Sequence, residues 1–441
     1  MTIHPMVMFH MKPNESYSYK DFVDWIYKSV GQLANSEELI NAYVNYLFES
    51  GITLARVNYG IRALHPQVSA ITYLWKNLNS ESDFQFRDDT VFFNQSQVEF
   101  ERGKLVVSKF PTGRLLDSVY TKSPIPSVFR NKKPYRYSFL DEGKIDGKRD
   151  FEILDEIFSQ GVTDYFLCPQ FSYNSPFGYM SFSTKNPSGF SIEALDFLER
   201  SSHLVSIKLD QFAQKMTTES LLQVYLGKRT GKEVHAGKIL RGDFEEISSV
   251  IWFSDIRNFT GISENLAPLE LVEMLNEYFD ICIGHIEDLG GEVLKMLGDG
   301  LLAVFPFEPN HRVKAHFKSL LAARRILLDL RKKNKERSAK NKIAIEHGVG
   351  LHFGKVLYGN IGSKERLDFT VIGDAVNISS RIAGLCGKLR KAVLASEEFA
   401  NEVDIHWRDL GIHDLKGVSQ PRKIFAIPQA EEMNEKNLSA T

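Results

Sequence analysis

Two aspartates in this 441-residue chain occupy positions where a pair of carboxylates could bind metal ions. Asp299 stands between Gly298 and Gly300 with an apolar run on each side, and because glycine tolerates positive φ on both sides of the aspartate, this pattern predicts a β-hairpin with Asp299 at its tip. Asp255 lies near the end of an apolar run, 248–256, that predicts a buried strand. Neighbouring carboxylates repel and raise each other's pKa, and bound divalent cations relieve this repulsion. Taken singly, Asp299 is most simply a turn residue and Asp255 a helix cap, whereas the two together favour a metal site.

Four other polar residues lie in or near these segments at positions to be weighed. Asn377 and Arg381 are four residues apart in a predicted helix and therefore share one face. Lys295 precedes the hairpin on its incoming strand, and Lys416 lies in the segment Asp-Leu-Lys-Gly. Three of them have a simpler explanation when taken alone: a cap for Asn377, and solvated surface charges for Arg381 and Lys416.

The elements that must position these residues alternate between strands and helices. We predict, in chain order, a strand at 248–256, a helix at 268–289, the hairpin around 298–300, a helix at 311–341, a strand at 343–353, a turn and another strand at 354–362, a strand at 367–372 and a helix at 374–386. The helix at 268–289 is predicted to have one broad apolar face, formed by Leu269, Leu271, Val272, Leu275, Tyr278, Phe279, Ile283 and Ile286.

Three of these segments, in this order, resemble the catalytic domain of the class III nucleotidyl cyclases. They are Phe-Ser-Asp-Ile-Arg-Asn-Phe-Thr at 253–260, Gly-Glu-Val-Leu-Lys-Met-Leu-Gly-Asp-Gly at 291–300, and Phe-Thr-Val-Ile-Gly-Asp-Ala-Val-Asn-Ile-Ser-Ser-Arg at 369–381. The resemblance covers about 248–427. It implies an α+β fold with a ferredoxin-like, βαβ-type cyclase domain, which we place at 243–429.

The resemblance also implies a role for each site residue. Asp255, Asp299 and the backbone carbonyl of Ile256 match the ligands of two divalent metal ions, Mg²⁺ or Mn²⁺. Lys295 and Thr370 match the pair that selects the purine. Asn377 matches the residue that orients the ribose, Arg381 the arginine that stabilises the transition state, and Lys416 a lysine that contacts phosphate.

The purine-selecting pair favours adenine, because Lys295 can donate to purine N1 and the Thr370 hydroxyl faces the 6-amino group. Guanylate cyclases resemble one another in having Glu and a small residue at these positions. The implied function is therefore an adenylate cyclase that converts ATP to 3′,5′-cyclic AMP and pyrophosphate. The alternatives are a guanylate cyclase, and a nucleotide-binding signalling protein without turnover.

Family sites form between two subunits, and the chain has one copy of each site element. The resemblance implies a homodimer with two equivalent sites, in which the metal-binding aspartates come from one subunit. The purine-selecting pair, Asn377, Arg381 and Lys416 then come from the other.

The first 208 residues are predicted to form a separate α+β domain. Helical patterns at 19–50 precede one predicted strand pair, 54–64 with 69–75, and a second, 161–169 with 177–184, before a long helical pattern at 190–212. This order resembles GAF-type sensory modules, which hold small ligands or mediate dimer contacts, and both roles stay open here. His65 before Pro66 is a candidate haem or metal ligand, but a turn histidine is the simpler explanation because no second ligand stands near it.

A helical linker is predicted at 209–242. Its apolar stripe between Leu209 and Leu226 could pair with the same helix of a second chain or pack on its own domain. The segment 227–242, rich in Gly, Lys and Arg, breaks the helical pattern and marks the domain boundary. A polar tail at 430–441 is predicted to be disordered.

Composition excludes several classes of partner. A net charge of −2 provides no basic surface for nucleic acids, and no apolar run is long enough to span a membrane. The segment 1–20 has no signal-peptide pattern, and the three cysteines, Cys168, Cys282 and Cys386, have no metal-ligand spacing. We therefore expect a cytoplasmic protein with reduced, buried thiols.

Overall fold

The structure, a computed structural model, describes residues 17–63, 67–77, 94–111, 118–140, 149–172 and 175–428. It divides into two units, Met1–Leu221 and Leu222–Thr441, and the boundary between them in the sequence lies inside the predicted linker. His65 and the predicted tail lie outside the described residues. None of the helices in the described ranges combines the length and hydropathy required to span a lipid bilayer.

The N-terminal unit consists of an antiparallel sheet and helices. In chain order its elements are α1 Tyr19–Ser29, α2 Ser36–Glu49, β1 Arg56–Arg62, β2 Val68–Asn77, β3 Asn94–Glu99, β4 Gly103–Pro111, α3 Ser118–Thr121, α4 Ile125–Asn131, β5 Tyr135–Ser138, α5 Glu152–Ser159, β6 Asp164–Ser172, β7 Ser175–Thr184 and α6 Ile192–Leu226. The described strands form one sheet in the order β3-β4-β2-β1-β7-β6-β5.

Both predicted strand pairs of this unit are confirmed: β1 pairs with β2, and β6 pairs with β7, each antiparallel. Strands β3, β4 and β5 were not predicted. Strand β3 is Asn-Gln-Ser-Gln-Val-Glu, which lacks the alternation of apolar and polar residues that indicates a half-buried strand. The GAF-type identification stays a prediction.

Helix α6 joins the predicted helix at 190–212 and the predicted connecting segment into one helix of 35 residues. Leu209 is buried in the N-terminal core, and Phe212 and Met216 pack against it. The first half of the apolar stripe therefore packs within the N-terminal unit. The segment 227–242 is not irregular throughout, because it contains a further helix, α7, Lys228–His235.

The C-terminal unit continues from α7 with an eight-stranded sheet and helices. Its elements are β8 Phe244–Ile256, α8 Phe259–Asn265, α9 Pro268–Asp288, β9 Glu292–Leu297, β10 Gly300–Pro306, α10 Arg312–Ala339, β11 His347–Gly362, β12 Leu367–Ile372, α11 Asp374–Leu389, β13 Val393–Ser396, α12 Glu397–Ala400, β14 Arg408–His413 and β15 Arg422–Ala426. The strand order is β14-β15-β13-β11-β8-β10-β9, with β12 paired to β11.

The centre of this unit is ferredoxin-like, as predicted. Elements β8-α9-β9-β10-α10-β11 follow the βαββαβ order, and their strands lie side by side as β11-β8-β10-β9. Along β8, Val250 and Trp252 pack in one core with α9 and α10, whereas Ile251 packs in a second core with residues of β10, β11 and β12. This alternation explains why β8 is apolar almost throughout, since both of its faces are covered.

One prediction about an element was wrong, and the predicted apolar face of α9 was right for six of its eight residues. Strand β11 is continuous over 16 residues, without the turn predicted at Gly354. A Cβ at Gly354 would lie 2.8 Å from Cβ of Ala375, so this glycine allows close approach of α11. On α9, Leu269 and Val272 of the predicted apolar face are 73% and 51% exposed. The row that is buried, Met274, Tyr278, Cys282 and Ile286, has a spacing of four residues.

Candidate active site

The hairpin β9–β10 brings Asp299 next to Asp255. Strand β10 is antiparallel to β8 with Gly300 opposite Asp255, and the N–H of Ile256 donates a hydrogen bond of 3.1 Å to the carbonyl oxygen of Asp299. The two aspartates therefore lie at the same end of neighbouring strands, as the sequence predicts.

The two glycines that flank Asp299 have different roles. Gly298 has a φ of +69°, which glycine adopts without a steric penalty, so it meets the expectation for a turn. Gly300 does not have positive φ, contrary to the expectation. A Cβ on Gly300 would lie 2.2 Å from the carbonyl oxygen of Ser254, so glycine is required there because β8 approaches closely.

The surroundings of Asp255 oppose its ionisation. Burial raises the pKa of the Asp255 carboxyl, Arg257 lowers it and Asp299 raises it, with a net shift upward. Its Oδ1 is buried and accepts no hydrogen bond, although it lies 3.2 Å from Nη2 of Arg257. A buried, negatively charged oxygen without a hydrogen-bond donor is suited to accept a cation.

These residues fit a divalent metal ion that also binds substrate. No cluster of three or more His, Cys, Asp or Glu side chains suited to a metal occurs in the described ranges. Mg²⁺ is commonly held by one or two carboxylates and completed by substrate phosphates, which is what Asp255 and Asp299 provide. The backbone carbonyl of Ile256, the third predicted ligand, belongs to the residue that follows Asp255.

The predicted purine-selecting residues lie on two strands. Lys295 on β9 forms an ion pair with Asp368 on β12. Thr370 is two residues beyond Asp368 and therefore points to the same face of β12, and it is buried. The structure thus brings Lys295 to the strand that carries Thr370. Sequence analysis missed Asp368, although its spacing of two residues from Thr370 on a predicted strand was a usable signal.

Asn377 and Arg381 lie one turn apart on α11, and both are exposed. Lys416 is exposed after the end of β14. In the part of the chain that the structure describes, no hydrogen bond or ion pair joins Asp255 or Asp299 to Lys295, Asn377 or Arg381. The metal-binding and nucleotide-binding roles of these residues stay predictions.

A buried hydrogen-bond network supports the hairpin at the start of β9. The Glu292 carboxylate is 7% exposed and accepts hydrogen bonds from the Thr230 backbone N–H at 2.8 Å, the Thr230 hydroxyl at 2.8 Å and the Tyr358 hydroxyl at 3.0 Å. Thr230 lies in the first turn of α7, where backbone N–H groups have no partner within the helix. This network ties α7 to the hairpin that carries Lys295 and Asp299.

Comparison with known proteins identifies the C-terminal unit. Residues 243–427 match the family model of the adenylate and guanylate cyclase catalytic domain. An adenylate cyclase from Anabaena cylindrica is 38% identical over 152 residues, which cover 33% of this chain and 29% of that protein. The terminal-differentiation-specific adenylate cyclase of Dictyostelium discoideum is 30% identical over 235 residues, which cover 52% of this chain and 10% of that protein.

One solved structure similar to this chain is that of the adenylyl cyclase CyaB from P. aeruginosa, at 26% sequence identity and a TM-score of 0.40. The similarity covers 44% of this chain and all of that one. The chain spans between 10% and 36% of the length of the first curated relatives that it matches. At residues 243–427 the chain is therefore similar to the catalytic domain of the adenylate and guanylate cyclases.

Proposed function

We propose that this protein is an adenylate cyclase that converts ATP to 3′,5′-cyclic AMP and pyrophosphate. The observation that carries the proposal is the pairing of strand-end Asp255 with hairpin-tip Asp299 in a chain that also contains Lys295, Asn377 and Arg381. Cyclase domains of this family generally use divalent metal ions, bind ATP or GTP and work as dimers.

Asp255, Asp299 and the carbonyl of Ile256 are proposed to hold two divalent metal ions against the triphosphate. When bound, these ions supply positive charge that favours loss of the proton from the ribose 3′-hydroxyl and neutralises the phosphates. The 3′-oxygen then forms a bond to the α-phosphorus. At the same time the bond breaks between the α-phosphorus and the oxygen that bridges the α- and β-phosphates. Pyrophosphate leaves with that electron pair.

The other residues are proposed to recognise ATP and stabilise the transition state. The Lys295 ammonium donates to purine N1, and the Thr370 hydroxyl accepts from the 6-amino group, which favours adenine over guanine. Asn377 orients the ribose. The Arg381 guanidinium carries a permanent charge that offsets the charge developing on the α-phosphate, and Lys416 contacts phosphate.

We propose that a homodimer completes each site. The metal-binding aspartates of one chain would face Lys295, Thr370, Asn377, Arg381 and Lys416 of the other. The exposure of Asn377, Arg381 and Lys416 supports this division, because it leaves these side chains accessible to a second chain. The N-terminal unit is proposed to regulate activity, by binding a small molecule or by holding the dimer together.

Measurement of cyclic AMP formation by the purified full chain tests the proposal. We expect Asp255→Ala and Asp299→Ala to lower the rate at least about a hundredfold, the scale on which removal of a group that stabilises transition-state charge acts. Competition between ATP and GTP should favour ATP. Lys295→Ala and Asp299→Ala chains, each inactive alone, should regain about a quarter of wild-type activity when equal amounts are mixed, since half of the dimers would be mixed and keep one intact site.

Asp404→Ala is a matched control, because Asp404 is exposed and is not one of the proposed site residues. Undiminished turnover in both aspartate variants would reject the metal assignment. Faster conversion of GTP than ATP would instead identify a guanylate cyclase. Tight ATP binding without any product would identify a nucleotide-binding protein without turnover.

A further inference from the structure

The side chain of Arg257 lies where three elements of the catalytic unit meet. Its Nη2 is 3.2 Å from Oδ1 of Asp255 on β8, and donates a hydrogen bond of 2.9 Å to the carbonyl oxygen of Ala383 in α11. The side chain is 18% exposed. One guanidinium thus joins a metal-binding aspartate to the helix that carries Asn377 and Arg381.

Two glycines of β11 make room for this contact. Gly348 lies opposite Asp255 in the sheet, and a Cβ on Gly348 would lie 1.4 Å from Nη2 of Arg257. Gly350 is two residues further on the same face, and its Cβ would lie 2.4 Å from the backbone nitrogen of Ala383. The guanidinium and α11 therefore both rest directly on the backbone of β11, and only glycine permits this packing.

A backbone hydrogen bond also fixes the position of Arg257. Its N–H donates a hydrogen bond of 2.8 Å to the carbonyl oxygen of Glu346, just before β11 begins. A largely buried guanidinium requires a nearby negative charge, and Asp255 supplies it. The position of the Asp255 carboxylate and the position of α11 are therefore both set by contacts to the same side chain.

We propose that Arg257 is a positioning residue that fixes the Asp255 carboxylate against α11, and so couples the metal-binding half of one active site to the nucleotide-binding half of the other. The inference rests on the proposed function, because that function assigns Asp255 and α11 of one chain to different sites of the dimer. Arg257 itself touches neither substrate nor metal in this proposal.

Binding of Mn²⁺ alone to the full chain tests the first half of the proposal without turnover. Free Mn²⁺ is measured by electron paramagnetic resonance for the wild type, Arg257→Gln and Arg257→Lys. Lysine keeps the positive charge but lacks the planar guanidinium, whose Nη2 contacts both Asp255 and Ala383. We expect the dissociation constant to rise about tenfold in both variants, as for the loss of groups that orient metal ligands.

Arg408→Gln is the control, because Arg408 is exposed on β14, and it should bind Mn²⁺ like the wild type. Wild-type binding by Arg257→Lys would overturn the proposal, since charge alone would then suffice. Tighter binding by Arg257→Gln would also overturn it, because the guanidinium would then act only by repelling the metal ion. Should Arg257→Gln fail to fold, the affinity of Arg257→Lys for Mn²⁺ still tests the proposal.

Mixed dimers test the coupling. A dimer of an Asp255→Ala chain with an Asn377→Ala chain keeps one complete site, with Asp255 from the second chain and Asn377 from the first. Arg257→Gln is then added to either chain, and cyclic AMP formation is measured. We expect a loss of about threefold or more in both placements, in one through Asp255 and in the other through α11.

A loss only when Arg257→Gln is in the chain that supplies Asp255 would overturn the coupling. No loss in either placement would overturn the whole proposal. If the mixed dimer is inactive while Arg257 is intact in both chains, the proposed division of the site between chains has failed instead, and Mn²⁺ binding then decides the role of Arg257 by itself.

Discussion

Lys295 and Asp368 form an ion pair across strands β9 and β12 of the catalytic sheet. Their side chains are 29% and 56% exposed, so water screens the pair and it contributes little to folding stability. Its main consequence is orientation, because an ammonium held by one carboxylate points its remaining N–H groups in defined directions. Since Thr370 shares this face of β12, we propose that Asp368 directs Lys295 toward the purine.

We expect Asp368→Asn to lower kcat/KM for ATP about two- to fivefold and to reduce the preference for ATP over GTP, because an exposed ion pair is worth up to about 1 kcal/mol. Competition kinetics with both nucleotides measure the change. Asp404→Asn, an exposed aspartate on a different segment, should leave both constants unchanged. Equal preference in Asp368→Asn and wild type would show that Lys295 does not depend on this pair.

Residues at recognisable spacings could be predicted from sequence, and residues that act through pairing across the fold could not. The pairing of Asp255 with Asp299 follows from a strand end and a turn, which are local patterns. The contacts of Arg257 and Asp368 depend on which strands and helices become neighbours. Arg257 reaches Ala383, more than a hundred residues away, and nothing in the local sequence of either indicates this.

At the scale of elements, the hairpin β9–β10 is held at its base by the Glu292 carboxylate. Thr230 donates to this carboxylate twice and Tyr358 once, and all three side chains lie in the protein interior. Burial is the largest cause that raises the pKa of the Tyr358 hydroxyl, so it stays protonated as a donor. The start of α7 and the start of β9 are therefore stabilised by the same carboxylate.

We expect Glu292→Ala to lower the free energy of unfolding by about 2–3 kcal/mol, because it leaves buried donors without an acceptor. Hydrogen exchange should become faster at α7 and β9 in particular, since the lost bonds join these two elements. Urea denaturation and hydrogen–deuterium exchange measure the two effects.

Glu246→Ala is the matched comparison, because Glu246 forms an exposed ion pair with Lys355 and should cost about 0.5 kcal/mol or less. Unchanged exchange at Thr230 in the Glu292 variant would contradict the assigned network.

The glycine pattern correctly predicted the hairpin but wrongly predicted a turn at Gly354, for a physical reason. A glycine that permits positive φ and a glycine that permits close approach of a helix are identical in sequence. Gly298 is the first kind, whereas Gly354 and Gly300 are the second. The long strand β11 was divided in the prediction because its glycine suggested a turn, although the flanking apolar residues continue the strand.

At the scale of the whole molecule, the βαββαβ order of the catalytic unit could be predicted because its helices and strands have clear and different hydrophobic periods. The apolar face of α9 was also predicted in large part, since only Leu269 and Val272 of its eight residues are exposed. Strand β3 of the N-terminal unit was missed because its residues pair with β4 in the sheet without showing an apolar alternation of their own.

Histidine burial makes the stability of the catalytic unit depend on pH. His352 is 5% exposed, and its Nδ1 lies 2.8 Å from the Ser396 hydroxyl. Burial lowers the pKa of His352 to about 4, while Glu398 on α12 raises it and Arg422 on β15 and His316 on α10 lower it. The unfolded chain binds the proton near pH 6.5, so between these values acid favours unfolding.

We therefore expect the contribution of His352 to stability to be complete above about pH 6.5 and to be lost as pH falls toward 4, at about 1 kcal/mol per pH unit. The difference in unfolding free energy between wild type and His352→Asn should shrink over that range, because asparagine does not titrate. Urea denaturation at pH 7, 6 and 5 measures it, and His406→Asn, an exposed histidine, should follow the wild type throughout. A constant difference between wild type and His352→Asn from pH 7 to 5 would show that His352 ionises equally in the folded and unfolded chain, and burial would then not control its charge.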